Sequence, residues 1–252
     1  MKNKKLFSCL VGSHNYNLND KNSDKDFKVF LIPTFDDLYF NNKITKATTS
    51  ELSDIEFHDI RKLEKLLWCS NINFLECLYS IELNINNDLN DEIKSLAQKI
   101  INYRDDIAKI NLPYLYNACI NMSYNKIKLI DKGTKSSKYL LDKFGYDTKQ
   151  IMTSLRILDF LKRFADSEFK DFKNSIFYKD SDKFRKFLLD IKQGKYEKDK
   201  LMNLYKFQLK EIDKKYKYKY LSSEPNVELK EELSIIIKKI IEIDSKNYLN
   251  NL

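Results

Sequence analysis

The sequence predicts an α+β protein, a small mixed sheet near the N-terminus followed by an all-α region, and three observations carry that expectation. Short apolar or alternating runs bounded by polar turns lie before residue 60. After residue 60, apolar side chains recur at helical spacing. Only four glycines and three prolines occur in 252 residues, which leaves little material for tight turns or long irregular segments. With 42% hydrophobic side chains, the chain is long enough for one large core or two ordinary ones.

Taken in order, Phe7 to Val11 is an apolar run too short for a helix and suited to a buried strand. Gly12 then lets the backbone turn, and Ser13 is a good N-cap for a helix starting near His14. Free N–H groups at such a helix start would welcome a phosphate. After the polar loop Asn19 to Ser23, a second strand begins at Asp24 and runs through Ile32 to Pro33. Residues two apart on a strand share a face, so Asp24 and Asp26 are expected to project together. Two such carboxylates repel unless a cation sits between them, and magnesium favours carboxylate oxygens combined with substrate phosphates.

Thr45 to Ser50 reads as a polar connection, and Ser53 to Ile60 alternates as a half-buried strand would. That alternation puts Asp54, Glu56 and His58 on one face. Ile60, Leu63 and Leu67 then mark a helical stripe, and Leu75 with Leu78 a further short helix. The Asn- and Asp-rich stretch around Ile85 to Asp91 is the best domain boundary, dividing the chain into residues 1–85 and 86–252. Beyond it, helices are expected over 91–104, 113–131, 136–143, 148–165, 181–192, 197–217 and 226–247. In the last, Leu229, Leu233, Ile236, Ile240 and Ile243 form one apolar face, which reads as core packing.

The formal net charge of +8 is unevenly spread: residues 1–95 carry a small acidic excess and the remainder is strongly basic. An acidic half that gathers metal beside a basic half that meets a polyanion suits such a distribution. Most of the lysines are expected on solvated helix faces. The five arginines are more telling, because the guanidinium fork matches phosphate oxygens. Lys149, Arg156 and Arg163 recur every seven residues along one predicted helix. The alternation Tyr216-Lys217-Tyr218-Lys219-Tyr220 mixes cations with stacking groups, as single-strand binding surfaces do and as an exposed helix end also does. Four cysteines without a Cys-x-x-Cys pair are expected to be free thiols, with neither zinc site nor disulfide framework. The apolar stretch after Met1 to Lys5 is short for a signal peptide and no run is long enough to span a bilayer, so a cytoplasmic protein is expected.

Gly12-Ser13, a short helix and then Asp24-Lys25-Asp26 on the next strand resemble the signature of the DNA-polymerase-beta-like nucleotidyltransferases. Within that superfamily, Leu10-Val11-Gly12-Ser13-His14-Asn15-Tyr16 and Asn22-Ser23-Asp24-Lys25-Asp26-Phe27 are most similar to the bacterial and phage predicted nucleotidyltransferases associated with RNA ligases. Arg61-Lys62-Leu63 with Asn71 to Leu78, Gly145 to Lys149 ahead of the helix bearing Arg156, and Ile191-Lys192-Gln193-Gly194 look like later segments of that group. Where members of the family carry a glycine in the turn, this chain has Asn17, a residue that tolerates unusual backbone angles.

The resemblance implies a catalytic core over 1–85 and an α-helical domain over 86–252 that completes the nucleotide or acceptor site. It implies two magnesium ions, or manganese, held by Asp24 and Asp26 with a third carboxylate, for which Glu56 and Asp54 are both candidates. Gly12 and Ser13 would hold the β- and γ-phosphates of a nucleoside triphosphate such as ATP, and Lys149 and Arg156 would steady phosphate charge. The reaction implied is transfer of a nucleoside monophosphate to an acceptor hydroxyl on a nucleic-acid end, a protein or a small molecule, with release of pyrophosphate. The alternative is a catalytically inactive nucleic-acid-binding or regulatory module on the same fold. An Asp-x-Asp glycosyltransferase needs a nucleotide-binding α/β unit ahead of the motif, and the 23 residues before Asp24 are fewer than the ~30 of one βαβ unit.

Overall fold

A computed structural model describes residues 3–21, 23–50, 53–134 and 137–250. Asn22 of the motif, Ser136 at the start of one expected helix, and Met1 and Lys2 lie outside the described residues. In chain order the elements begin β1 (Lys4–Val11), β2 (Lys25–Ile32), α1 (Phe35–Tyr39), β3 (Thr45–Thr49), β4 (Ser53–Asp59), α2 (Leu63–Trp68), α3 (Ile72–Leu75) and β5 (Leu83–Ile85). They continue through α4 (Asp91–Asn102), α5 (Arg104–Ala108), α6 (Leu112–Lys128), α7 (Lys138–Phe144) and α8 (Thr148–Asp166). The last are α9 (Phe172–Ile176), α10 (Lys183–Lys192), α11 (Lys198–Lys215), α12 (Lys217–Leu221) and α13 (Val227–Leu249). The chain divides into two compact units, the first formed by Met1–Asn111 with Pro225–Leu252 and the second by Leu112–Glu224.

The first unit is built on a five-stranded mixed sheet of order β3-β4-β2-β1-β5. β1 pairs antiparallel with β2 and with β5, β2 pairs parallel with β4, and β3 closes the far edge antiparallel to β4. The central position of β1 accounts for its composition: Leu6, Phe7, Cys9, Leu10 and Val11 are buried on both faces. β4 follows β2 in parallel because the chain between them, through α1 and β3, crosses over instead of turning back at once. Thr34 starts α1 with a capping box, its hydroxyl accepting from the Asp37 N–H while Asp37 accepts from the Thr34 N–H.

Several segments in and around the sheet depart from the expectations. Thr45–Thr49, read as a polar connection, is the edge strand β3; its β-branched threonines pair on one side only, so no apolar alternation marks it. Leu83–Ile85, next to the expected boundary, is the opposite edge strand β5. The helix expected from His14 is a single turn, with Tyr16 N–H bonded to Gly12 O and Leu18 N–H to Ser13 O, and it ends where Asn17 takes a left-handed φ of 61°.

α13 belongs with the sheet. Its face of Leu229, Leu233, Ile236, Ile237 and Ile240 is buried against α2, α4 and β2, and its Asp244 pairs with Lys4 of β1 at 2.7 Å. The division at 85/86 expected from the sequence therefore falls inside the first unit, which extends through α4 and α5 and is completed by the last helix.

The second unit is helical. α8 runs through its middle, buried on nearly every side, with α6, α9, α10 and α11 packed against it. Ser123 of α6 and Ser154 of α8, both fully buried, share a hydroxyl–hydroxyl bond of 2.7 Å, so small side chains line that contact. Phe160, Phe164, Phe172, Tyr178 and Tyr220 fill the remaining core. The expected helix 197–217 is interrupted at Tyr216, which separates α11 from α12. No described helix is long and apolar enough to cross a membrane.

Candidate functional site

The parallel register of β2 and β4 puts Asp26 opposite Asp54, Lys28 opposite Glu56 and Phe30 opposite His58. These six side chains share one face because strand side chains alternate. Asp24 stands just before β2, and one carboxylate oxygen from each of Asp24, Asp26 and Asp54 lies within 4.8 Å of the others. Burial, followed by the charges of Asp24, Asp54 and Glu76, pushes the Asp26 carboxyl up to about 6, with Lys28 acting in the opposite sense. Oδ1 of Asp54 is buried without a hydrogen-bond partner among the described residues. Clustered, mutually repelling carboxylates with an orphaned oxygen fit a hard divalent cation.

Glu56 occupies the next rung. It forms an ion pair with Lys28, and its Oε2 lies 3.2 Å from Nε2 of His58. Burial alone would raise its carboxyl, but the bond and charge of Lys28 hold it below the usual range. Of the two candidates for the third carboxylate, Asp54 therefore lies with the aspartate pair and Glu56 is tied to Lys28 and His58. Burial and the Lys28 charge lower the His58 imidazole, which packs edge-on against Phe74 at 5.1 Å.

The Gly12 turn abuts this cluster. Gly12 has φ +73°, and a Cβ placed there would stand 2.6 Å from Oδ2 of Asp26, so both conformation and space require glycine. A buried acid fastens the turn: Glu76 accepts from Gly12 N–H at 3.1 Å, from the Asn15 amide at 3.3 Å and from the Tyr16 hydroxyl at 2.6 Å. Asn15 in turn accepts from the Ile81 N–H, and Ser80 donates to Leu10 O. The Gly12 N–H is thus engaged internally, whereas the N–H groups of Ser13, His14 and Asn15 make no hydrogen bond among the described residues. Consecutive open N–H groups in a turn are a ready anion cradle. Sequence reasoning passed over Glu76, although one acid inside the apolar run from Ile72 to Tyr79 is the signal for a buried, partnered carboxylate.

Lys149 and Arg156 lie in the second unit. Lys149 is exposed in the first turn of α8, where Asp147 caps the N–H groups of Lys149 and Gln150. Arg156 is only 5% exposed, its charge acting on Cys119 and Lys126. Arg163 pairs with Asp159 and Asp182 and stacks over Tyr178 at 4.4 Å. The three share a side of α8 but not an environment.

A family model described as RlaP, RNA repair pathway DNA polymerase beta family, matches residues 2–233. No curated protein matches the chain. The family is one of polymerase-beta-like nucleotidyltransferases, which usually use divalent metals, and its description implies nucleotide and nucleic-acid substrates. With the matched region spanning both the carboxylate cluster and the helical unit, the chain belongs to the RNA repair pathway DNA polymerase beta family.

Proposed function

We propose that this protein is a metal-dependent nucleotidyltransferase that moves a nucleoside monophosphate from a nucleoside triphosphate to a hydroxyl at an RNA end. The observation that carries the reading is the convergence of Asp24, Asp26 and Asp54 within 4.8 Å, directly against the Gly12 turn. In the reaction, the acceptor hydroxyl gives up its proton to water, its oxygen bonds to the α-phosphorus as the bond to the β-phosphate oxygen breaks, and pyrophosphate leaves.

Asp24, Asp26 and Asp54 would hold the magnesium, which when bound supplies charge neutralisation and Lewis acidity for an in-line displacement. The N–H groups of Ser13 and His14, which are partly exposed, would receive the outer phosphates, with Gly12 keeping its side of the cradle clear of Asp26. Glu76 holds that turn in place from beneath. Oδ1 of Asp54, with no hydrogen bond among the described residues, would accept from substrate or bind metal. The Glu56–Lys28 pair fixes a positive charge on the adjoining rung, which offsets part of the repulsion within the cluster.

The test is label transfer from each α-phosphate-labelled nucleoside triphosphate to RNA carrying free or blocked terminal hydroxyls, with magnesium or manganese. Labelled RNA and released pyrophosphate are expected, with the signal lost in Asp24→Asn and Asp26→Asn. No transfer from any triphosphate overturns the reading and leaves the inactive binding module in its place; transfer unchanged in Asp26→Asn overturns the assignment of the chemistry to the carboxylate cluster.

A further inference from the structure

The second unit contains a cleft of about 280 Å³ between α8, α10 and α11, which the carboxylate site does not use. Phe184, Phe207 and Tyr216 line it with aromatic surface, and Phe207 is 62% exposed on a helix otherwise rich in lysine. Its polar lining combines the donors Lys162 and Lys215 with the acceptors Asp159, Glu211 and Gln208. Oε1 of Gln208 is buried without a partner among the described residues, and Asp159 is fixed nearby by the Tyr178 hydroxyl at 2.9 Å and by Arg163. An aromatic slot that presents acceptors suits a flat ring bearing N–H donors.

The surroundings of the cleft indicate what such a ring is attached to. From residue 198 to 221 there are eight lysines against three acidic side chains, so α11 and α12 present net positive charge. The acids lining the cleft are paired, Glu211 with Lys215 and Asp159 with Arg163. Lys162 is exposed at its edge. Past Tyr216 the chain continues as Lys217-Tyr218-Lys219, all exposed, with Tyr218 at 82%. Cations interleaved with exposed rings, leading out of an aromatic slot, are the surface on which a single strand stacks and tracks.

We propose that this cleft binds an unpaired base with an exocyclic amine, such as adenine or cytosine, in single-stranded RNA, the flanking phosphates lying over the lysines of α11 and α12. The choice of RNA rests on the nucleotidyl-transfer reading, but binding here needs neither metal nor triphosphate. The slot admits one base, so the flanking strand contributes most of the affinity.

The experiment is fluorescence anisotropy of the full chain with labelled oligoadenylate and oligouridylate in EDTA, with AMP as competitor. Oligoadenylate is expected to bind more tightly than oligouridylate, and AMP to compete only at far higher concentration. Phe207→Ala, at an exposed position that leaves the fold intact, is expected to weaken binding about tenfold, in line with loss of one stacked base. Gln208→Leu is expected to erase the preference for adenine over uracil. Unchanged affinity in Phe207→Ala, equal affinity for the two oligonucleotides, or AMP competing as well as the oligonucleotide would each overturn the proposal. The same preparations are assayed for label transfer: binding without transfer refutes the nucleotidyl reading alone, and transfer with RNA binding indifferent to Phe207 refutes the cleft alone.

Discussion

Burial and three neighbouring carboxylates hold the Asp26 proton to about pH 6, well above the ordinary 3.8, and this sets how the site responds to acid. Without metal, the folded state binds that proton more tightly than the unfolded chain does. The contribution of Asp26 to stability is therefore fully present below about pH 4 and declines as pH rises to about 6. A bound cation must displace the same proton, so magnesium affinity is expected to be flat above about pH 6 and to fall below it. Calorimetric titration across pH 5–8 checks this, and Asp26→Asn is expected to remove both dependences. Gly12 leads to a second prediction. Its φ of +73° and the 2.6 Å approach of a would-be Cβ to Asp26 imply that Gly12→Ala costs about 1–3 kcal/mol and loses metal binding, read by melting with and without magnesium. Asn17 already holds a left-handed φ of 61°, so Asn17→Gly is expected to change stability by less than about 1 kcal/mol. Glu76→Ala, by contrast, strands three buried donors and is expected to cost about 2–5 kcal/mol in urea unfolding.

Among the elements, the pairing of β2 with β4 assembles the candidate site, because register alone decides that Asp54 faces Asp26 and Glu56 faces Lys28. Period-2 alternation in Ser53 to Ile60 was enough to put both acids on one face. It left them undivided, since nothing in a single strand states which residue lies opposite which. β3 and β5 are not legible in the sequence for a related reason: edge strands pair on one side and carry no apolar signature. The long helices were legible because one face of each is buried, and α8 starts at Thr148 where Asp147 supplies the cap. Burial inside a bundle is another matter, and the seven-residue spacing of Lys149, Arg156 and Arg163 does not reveal that the middle one is enclosed. The contact of α6 with α8 depends on Ser123 and Ser154 staying small. Ser154→Leu is expected to overpack it by about 1–3 kcal/mol and Ser154→Ala to cost about 1 kcal/mol, measured by denaturant unfolding.

At the scale of the whole molecule, the chain leaves its first unit at Asn111, builds the second, and returns at Pro225 to finish the first. A break in composition marks linkers, not returns, which is why the Asn-rich stretch near residue 85 looked like a boundary although α4 and α5 beyond it pack with the sheet unit. The return is held at the backbone by the Asn226 N–H, which donates to Ile110 O at 2.8 Å. The consequence is asymmetric. Truncation after Glu224 removes α13 and uncovers the apolar surface it covers on α2, α4 and β2, while α13 itself buries Leu229, Leu233, Ile236, Ile237 and Ile240. At about 1.5–3 kcal/mol per buried aliphatic side chain, that loss is comparable to the ~5–15 kcal/mol that stabilises a typical domain. The sheet unit of the truncated chain is expected to lose cooperative unfolding and, with it, the rise in melting temperature that magnesium is expected to give the full chain. The second unit is continuous in sequence and keeps its own core around α8, so its helical signal is expected to persist with a separate transition. Circular dichroism melting of the truncated chain, with and without magnesium, separates these outcomes, and a single unchanged transition that still responds to magnesium would refute the assignment of α13 to the sheet unit.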